Sequence, residues 1–221
     1  MPIHPKPLEK FLRLFFRYLY HQFAWTYDLV AATVSGGRWN HWVKTALPYL
    51  EGSSRSLELG YGTGNLLQAC ADSGVWIAGL DASRQMSRLA YKRLQTSGHV
   101  AKVVNGYAHI LPFPDCTFDR VAATFPTEYI LDGRTLTEVR RVLKPGGALI
   151  LLPAAWIEGG SIWDRFLAWL FRVTAQAPES QAAEATRSYA EPLAEAGFSV
   201  RSHRISTRSS SVLVLEAMKP E

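Results

Sequence analysis

Residues 58–64 combine a carboxylate with three glycines in the order Glu-Leu-Gly-Tyr-Gly-Thr-Gly. Glycines let the chain turn sharply and let a ligand lie against the main chain. The helix expected after them has unpaired N–H groups and a positive dipole end, which suit a carboxylate or a phosphate. The G-x-G-x-G spacing differs from the G-x-G-x-x-G of dinucleotide-binding dehydrogenases. The segment therefore predicts a binding site at the start of this helix for a ligand that carries an anionic group.

Asp81 is the second chemically informative residue, because it ends the next predicted strand. A carboxylate at that point faces the ribose hydroxyls of a bound nucleoside and can accept hydrogen bonds from both. The alternative is an N-cap for the helix that begins near Ser83. Its place at the strand end favours the ligand interpretation.

Alternating strands and helices position these groups. Strands are predicted at 56–59, 75–80, 101–105, 118–125 and 148–153, and helices at 40–50, 65–72, 83–95 and 135–143. Strands that alternate with helices, some of them apolar throughout, indicate a parallel sheet covered on both faces. Right-handed crossovers then give a doubly wound α/β fold of the Rossmann-like type.

The rest of the chain adds an arm, an insertion and a hairpin. Apolar residues recur at helical spacing over 8–24, and another apolar helix is predicted at 161–174. A helix at 184–196 and strands at 199–205 and 211–218 would close a seven-stranded sheet with an antiparallel terminal hairpin. We expect an N-terminal helical arm or lid at 1–50 and a ligand-binding domain at 51–221, with the insertion at about 156–180.

Composition excludes several classes of protein. The chain has 221 residues, 48% hydrophobic and 19% charged, which suits one globular domain. Its two cysteines are too few for a disulfide framework or a zinc site, so a reducing cytoplasmic setting and no metal are expected. The net charge of +5 is spread without a Lys/Arg-rich block, so nucleic acid is not expected as a partner.

Four segments together resemble the class I S-adenosylmethionine-dependent methyltransferases, in particular the methyltransferase type 11 group. They occur in the family's order and cover about residues 55–153. They are Leu-Glu-Leu-Gly-Tyr-Gly-Thr-Gly at 57–64, Gly-Leu-Asp-Ala-Ser at 79–83, Leu-Pro-Phe-Pro-Asp-Cys-Thr-Phe-Asp at 111–119 and Leu-Lys-Pro-Gly-Gly at 143–147. The resemblance implies S-adenosylmethionine as cofactor.

The resemblance assigns roles by position. Glu58 should organise the glycine loop or approach the methionine ammonium, and Asp81 should hold the ribose diol, with Ala82 beside the adenine. The loop residues that should contact the cofactor are Gly60, Tyr61, Gly62 and Gly64. Many relatives have Gly-Asp-Ala after strand three, whereas this chain has Gly106-Tyr107-Ala108-His109. The Ala108 N–H, stacking or His109 must then hold the adenine, and Tyr107 could simply fill space.

The acceptor site is expected beside residues 124–129, which follow the fourth strand. Thr124 should lie near the cofactor sulfur. The segment does not match the Asn-Pro-Pro-Tyr of amine and adenine methyltransferases, which disfavours methylation of nucleic-acid bases. Candidate catalytic groups are His109, Glu128 and Tyr129; a structural histidine and a solvent-facing glutamate are the plain alternatives. His41 and His203 are further candidate bases.

The N-terminal region is similar to that of ubiquinone and menaquinone biosynthesis C-methyltransferases, on Tyr27-Asp28 and the Ser-Gly-Gly-Arg-Trp of 35–39. The resemblance implies that Tyr27 closes over the cofactor. The helices at 8–24 and 161–174 flank the expected acceptor entrance, and either form a lid or make a peripheral membrane contact.

The leading hypothesis is a methyltransferase for a small apolar or lipid-like acceptor, either a quinone precursor or a lipid headgroup. The alternatives are an NAD-dependent oxidoreductase and a non-catalytic protein that binds S-adenosylmethionine. The sequence leaves the oligomeric state open.

Overall fold

The computed structural model describes residue 35 and residues 37–158, 180–207 and 209–221. The predicted helices at 8–24 and 161–174, and Tyr27, lie outside the described residues.

The described residues form a seven-stranded sheet in the order β3-β2-β1-β4-β5-β7-β6. The first five strands run parallel, and β7 pairs antiparallel with both β5 and β6. The strands are β1 Ser56–Leu59, β2 Ile77–Asp81, β3 Val103–Asn105, β4 Phe118–Thr124, β5 Leu143–Ile157, β6 Ser199–Ser206 and β7 Ser210–Met218. The predicted Rossmann-like sheet and its terminal hairpin are therefore confirmed.

Helices cover both faces of the sheet. The helices are α1 Trp39–Lys44, α2 Asn65–Asp72, α3 Arg84–Thr96, α4 Gly133–Val142 and α5 Ser180–Glu195. Side chains of α1, α2 and α3 share one buried core with alternate residues of the strands. Side chains of α4 and α5 share the other core. The two cores on opposite faces are what a doubly wound sheet requires.

The predicted helix at 40–50 is instead two short elements. Helix α1 ends at Lys44, and a 3₁₀ turn follows at Leu47–Tyr49 with Pro48 in its first turn. Pro48 has no N–H to donate and its ring crowds the carbonyl of Lys44, four residues earlier, which favours a break in the helix at this point. Trp42 and Leu50 are nevertheless buried in the core shared with α2, so this stretch packs against the sheet.

Strand β5 is longer than the predicted strand at 148–153, and the Lys-Pro-Gly-Gly residues lie inside it as an irregularity. Leu143 pairs with Phe118, and the register shifts before Ala148 pairs with Arg120. A side chain at Gly147 would lie 2.9 Å from the Lys144 carbonyl oxygen and 3.0 Å from that of Asp119. Only glycine therefore lets the two strands approach at this point.

Candidate cofactor and acceptor site

The carboxyl ends of β1, β2 and β4 meet at one edge of the sheet and bring together residues that lie far apart in the sequence. Glu58 is in β1, Asp81 ends β2 and Thr124 ends β4. Because parallel strands present their carboxyl ends at the same edge, a ligand there would contact all three.

Glu58 is only 1% exposed, and its carboxyl group is held on one side. The Thr124 hydroxyl donates to Oε1 of Glu58 at 3.2 Å, whereas Oε2 is buried without a hydrogen-bond partner among the described residues. Burial raises the pKa of Glu58 to about 8; the Thr124 hydrogen bond and the nearby Leu67 backbone N–H oppose this rise, and Asp81 adds to it. An unpaired buried oxygen is costly unless a ligand satisfies it.

Asp81 is buried at the end of β2, and its carboxylate ties two loops together. Oδ2 accepts the Gly62 N–H at 2.9 Å, and Oδ1 accepts the Ser83 N–H at 2.8 Å. Burial raises the pKa of Asp81, and these two backbone donors oppose the rise. The N-cap of α3 is Ser83, whose hydroxyl accepts the Met86 N–H. Asp81 is therefore not the N-cap of this helix, which was the alternative interpretation of its position.

The three glycines of the loop have positive φ, and each meets different surroundings. A side chain at Gly60 would overlap the Tyr129 hydroxyl, which itself donates to the Leu59 carbonyl at 3.0 Å. A side chain at Gly64 would lie 2.9 Å from Ala90 Cβ on α3. Of the three, only Gly62 has no atom of the described residues within 4 Å of such a side chain. A ligand can therefore lie against the main chain at Gly62.

Tyr61 was predicted to contact the cofactor, but its side chain points into the core. It is 3% exposed, its hydroxyl donates to Ser87 Oγ at 2.8 Å, and its ring lies against Gly79. Only its backbone can contribute to the glycine loop. The sequence does not predict the inward direction of the Tyr61 side chain, because the loop is irregular and has no helical or strand periodicity.

The segment after β3 lies beside Asp81. The Gly106 N–H and the Asn105 side-chain amide both donate to the Asp81 carbonyl oxygen. Ala108 is buried in the core with α4, while Tyr107 is 60% exposed and stacks on the exposed His109 with ring centroids 5.5 Å apart. Ala82 is also exposed. Tyr107 and His109 therefore form a surface stack near the end of β2.

The catalytic candidates are placed differently. Tyr129 is half-buried with its hydroxyl over the glycine loop, whereas Glu128 is exposed at the start of the 3₁₀ turn Glu128–Leu131. His41 is exposed on α1, and His203 lies 3.8 Å from Glu216 in the terminal hairpin. The structure thus brings Tyr129, among the candidates, to the loop.

The sequence places Phe125 in the segment expected beside the acceptor, but it does not predict its backbone conformation, which has a φ of 49°. A non-glycine residue in the left-handed region costs about 1–2 kcal/mol, and such strain collects at functional sites. The Phe125 ring lies 4.6 Å from the ring of Trp39. No local sequence signal marks this conformation.

Sequence reasoning missed Arg141, which anchors the Leu-Pro-Phe-Pro-Asp loop. The guanidinium donates to the carbonyls of Leu111 and Phe113, and to the carboxylates of Asp115 and Glu138. Glu138 in turn accepts the Leu111 N–H at 2.7 Å. The loop motif therefore depends on two side chains of α4.

Two absences concern only the part of the chain that the structure describes. There, no cluster of three or more potential ligand residues could hold a metal ion. Within the same residues, no helix has both the length and the apolar character needed to cross a membrane.

The residues present fit a cofactor with an ammonium group and a ribose. The unpaired Oε2 of Glu58 suits a positive donor, Asp81 lies at the ribose position of this fold, and the backbone at Gly62 is open. The fold is a Rossmann-like α/β domain, and the chemistry of these residues fits a cofactor of that kind.

Comparisons with known proteins agree. Residues 57–151 match a family described as a methyltransferase domain. The chain is 33% identical over 161 residues to the demethylmenaquinone methyltransferase of Symbiobacterium thermophilum, covering 68% of this chain and 62% of that protein. It is 31% identical over 175 residues to the ubiquinone/menaquinone biosynthesis C-methyltransferase UbiE of Cupriavidus metallidurans, covering 72% and 71%. The chain thus spans less than two thirds of the length of the first relative.

Solved structures share the fold at lower identity. A putative S-adenosyl-L-methionine-dependent methyltransferase from Methanococcus maripaludis superposes with a TM-score of 0.64 at 17% identity, covering 90% of this chain and 92% of that one. The [4+2]-cyclase SpnF superposes with a TM-score of 0.61 at 21% identity, covering 90% and 96%. These likenesses show the fold alone.

The chain belongs to the class I S-adenosylmethionine-dependent methyltransferases, on its match over most of the length of the Cupriavidus protein and on the methyltransferase domain at 57–151. The cofactor of that family is S-adenosylmethionine.

Proposed function

We propose that this chain transfers a methyl group from S-adenosylmethionine to a carbon atom of a small, apolar quinone precursor. The single observation that carries the proposal is the Glu58 carboxyl group, buried beside Asp81 at the carboxyl edge of the sheet with Oε2 unpaired among the described residues. The names of the relatives support the quinone assignment.

S-adenosylmethionine, when bound, supplies an electrophilic methyl group on a sulfonium. The chain's own residues bind and align. Glu58 would hold the methionine ammonium through Oε2, Asp81 would accept from the ribose hydroxyls, and the Gly62 backbone would face the ligand. Tyr129 would keep the glycine loop in place by its hydrogen bond to Leu59. Alignment of two reactants is the main contribution that such a site can make.

The acceptor side of the site is apolar. Partly buried Trp39, Phe125, Ala155 and Ile157 pack on the same core at the ends of α1, β4 and β5. Such a surface favours a ring or an isoprenoid-like chain over a charged headgroup. Methylation of a quinol carbon replaces a C–H bond by a C–CH₃ bond and releases one proton, so an acceptor of that proton is also needed.

The lipid-headgroup alternative has less support. A phosphoethanolamine N-methyltransferase of Haemonchus contortus superposes with a TM-score of 0.56 at 18% identity, covering 84% of this chain and 53% of that one, a likeness of fold alone.

The NAD-dependent oxidoreductase is disfavoured by the family to which the chain belongs. A cytoplasmic location with peripheral access to membrane-held acceptors would suit an apolar substrate.

The test is methyl transfer from isotopically labelled S-adenosylmethionine to a short-chain demethylated naphthoquinol, with phosphoethanolamine as the competing acceptor. We expect label on the naphthoquinol ring, lost in Asp81→Ala and retained in the matched control Asp72→Ala, whose carboxylate is half-exposed beside His99. Label on phosphoethanolamine alone would replace the quinone assignment. Cofactor binding without transfer to either would favour a non-catalytic binding protein.

A further inference from the structure

We infer that Phe125 and Trp39 form an aromatic wall that selects a flat aromatic ring as acceptor. The inference rests on the proposed function and names the part of the site that would recognise the acceptor. It differs from the cofactor contacts, because neither residue belongs to the glycine loop or to the end of β2.

The position of Phe125 is set by its neighbours in the sheet. Thr124, one residue earlier, donates its hydroxyl hydrogen to Glu58. The Phe125 N–H donates to the Leu152 carbonyl at 2.7 Å, which fixes the backbone against β5. The ring of Phe125 therefore starts from the carboxyl edge of the sheet, directly beside the group that we assign to the cofactor.

The backbone conformation of Phe125 needs an explanation. Its φ of 49° is one of two positive values among the described non-glycine residues. Glycine would adopt this conformation without strain. The presence of phenylalanine instead indicates that its side chain is needed at this point. Ordinary core packing is achieved elsewhere in this protein in relaxed conformations, as in the edge-to-face pair Phe113 and Phe118. The strain is consistent with a ring aimed for a ligand.

Trp39 completes the wall. Its ring centroid lies 4.6 Å from that of Phe125, with 36° between the ring planes. The ring centroid of Trp42 lies 6.2 Å from that of Phe125. Trp42 is held in turn by a hydrogen bond from its indole N–H to Ser210 Oγ at 2.8 Å. Phe125 and Trp39 are both only partly buried. Trp42 thus anchors the pair, and both Phe125 and Trp39 keep partial exposure.

Aromatic surfaces distinguish planar rings from saturated ones of the same size. A planar ring stacks in offset or tilted contact and gains more than its buried area provides. A saturated bicyclic ring is more apolar but cannot lie flat. A merely apolar pocket would therefore prefer the saturated ring, whereas an aromatic wall reverses that order.

The test is calorimetric titration of the full chain with 2-naphthol and with decahydro-2-naphthol, with and without S-adenosylhomocysteine. We expect wild type to bind 2-naphthol about tenfold more tightly. The preference should fall below about threefold in Phe125→Leu and persist in Phe125→Tyr, which keeps the ring. The matched control Phe113→Leu removes an aromatic contact on the other face and should keep the preference.

Equal binding of the two probes to wild type, or a preference that survives Phe125→Leu, would overturn the inference. Thermal melting of each variant shows whether a lost preference is caused by misfolding. The affinity for S-adenosylhomocysteine should stay within about twofold of wild type in every variant. A ring preference that depends on Phe125, without methyl transfer to the naphthoquinol, would leave the aromatic wall standing and refute the proposed reaction.

Discussion

The Thr124 hydroxyl donates a hydrogen bond to the buried carboxyl group of Glu58 at 3.2 Å, and so joins the end of β4 to β1. The two residues are 66 positions apart in the chain. This contact occupies Oε1 of Glu58, while Oε2 has no hydrogen-bond partner among the described residues. We therefore expect the same carboxyl group to influence both stability and cofactor binding.

Stability should fall as the pH rises towards 8, because of Glu58. Its pKa is about 8 in the folded chain and about 4.3 in an unfolded one. The folded state therefore binds more protons between these values, and the free energy of unfolding decreases with rising pH by up to ~1.4 kcal/mol per unit. In Glu58→Gln this component of the slope should vanish.

Urea denaturation at several pH values measures this effect. The informative quantity is the difference between wild type and Glu58→Gln, because acids with lowered pKa values, such as Glu138 and Glu158, give an opposite slope at lower pH. The exposed Glu191→Gln is the matched control and should follow wild type. A constant difference across the range would show that Glu58 titrates normally.

Cofactor binding should release a proton near pH 7. At this pH Glu58 is mostly protonated, while a free α-amino group, with a pKa of about 7.7–8.0, is mostly charged. An ammonium placed against Oε2 would favour the carboxylate and expel the proton. Calorimetry in buffers of different ionisation enthalpy counts it. Release of about one proton in wild type and none in Glu58→Gln is expected; release that persists in the variant would place the ammonium elsewhere.

Gly60 should tolerate alanine less well than Gly62. Both have positive φ, which costs alanine about 1–2 kcal/mol. An alanine at Gly60 would in addition meet the Tyr129 hydroxyl, whereas the methyl group of one at Gly62 would have no atom of the described part of the chain within 4 Å. Thermal melting should show the larger loss for Gly60→Ala, with part of it recovered in the double variant with Tyr129→Phe.

Gly62→Ala should reverse this order in cofactor binding. The added methyl group would lie where the main chain is open to a ligand, so affinity should drop although stability is less affected. Titration with S-adenosylhomocysteine checks it. Equal losses of melting temperature in the two variants would mean that Tyr129 can shift without destabilising the chain. An unchanged affinity in Gly62→Ala would show that the ligand does not lie against this part of the loop.

Arg141→Lys should destabilise the chain by about 2 kcal/mol. Arg141 donates to two backbone carbonyls of the Leu-Pro-Phe-Pro-Asp loop and to two carboxylates. Lysine cannot reproduce the planar fork that makes these bonds. Arg134→Lys, which changes an exposed guanidinium paired with Asp132, is the control and should cost less than about 0.5 kcal/mol. Similar losses in urea denaturation would show that the loop needs only a positive charge.

Tyr107→Asp should strengthen cofactor binding about fivefold, the value of one net hydrogen bond. The family resemblance implies that an aspartate at this position would meet the adenine amine, and Tyr107 is 60% exposed. Tyr107→Asn is the comparison, because asparagine has the size of aspartate without its charge. If neither variant changes the affinity for S-adenosylhomocysteine, the adenine lies away from this position.

Local patterns determined much of this protein. Alternating apolar strands and amphipathic helices predict the sheet, because burial on two faces requires continuous apolar strands. The glycine spacing and the position of Asp81 predict the cofactor edge, because strand ends must meet there. These signals depend only on neighbours in the chain, which is why the order of the elements and the positions of Glu58 and Asp81 followed from the sequence.

The tertiary structure decided what depends on distant contacts. The inward direction of Tyr61 depends on Ser87 and Gly79, and the raised pKa of Glu58 depends on burial by several strands. The irregular start of β5 depends on its pairing with β4. No local preference favours the left-handed conformation of Phe125, whose ring contacts Trp39 and Trp42 and whose N–H donates to the Leu152 carbonyl.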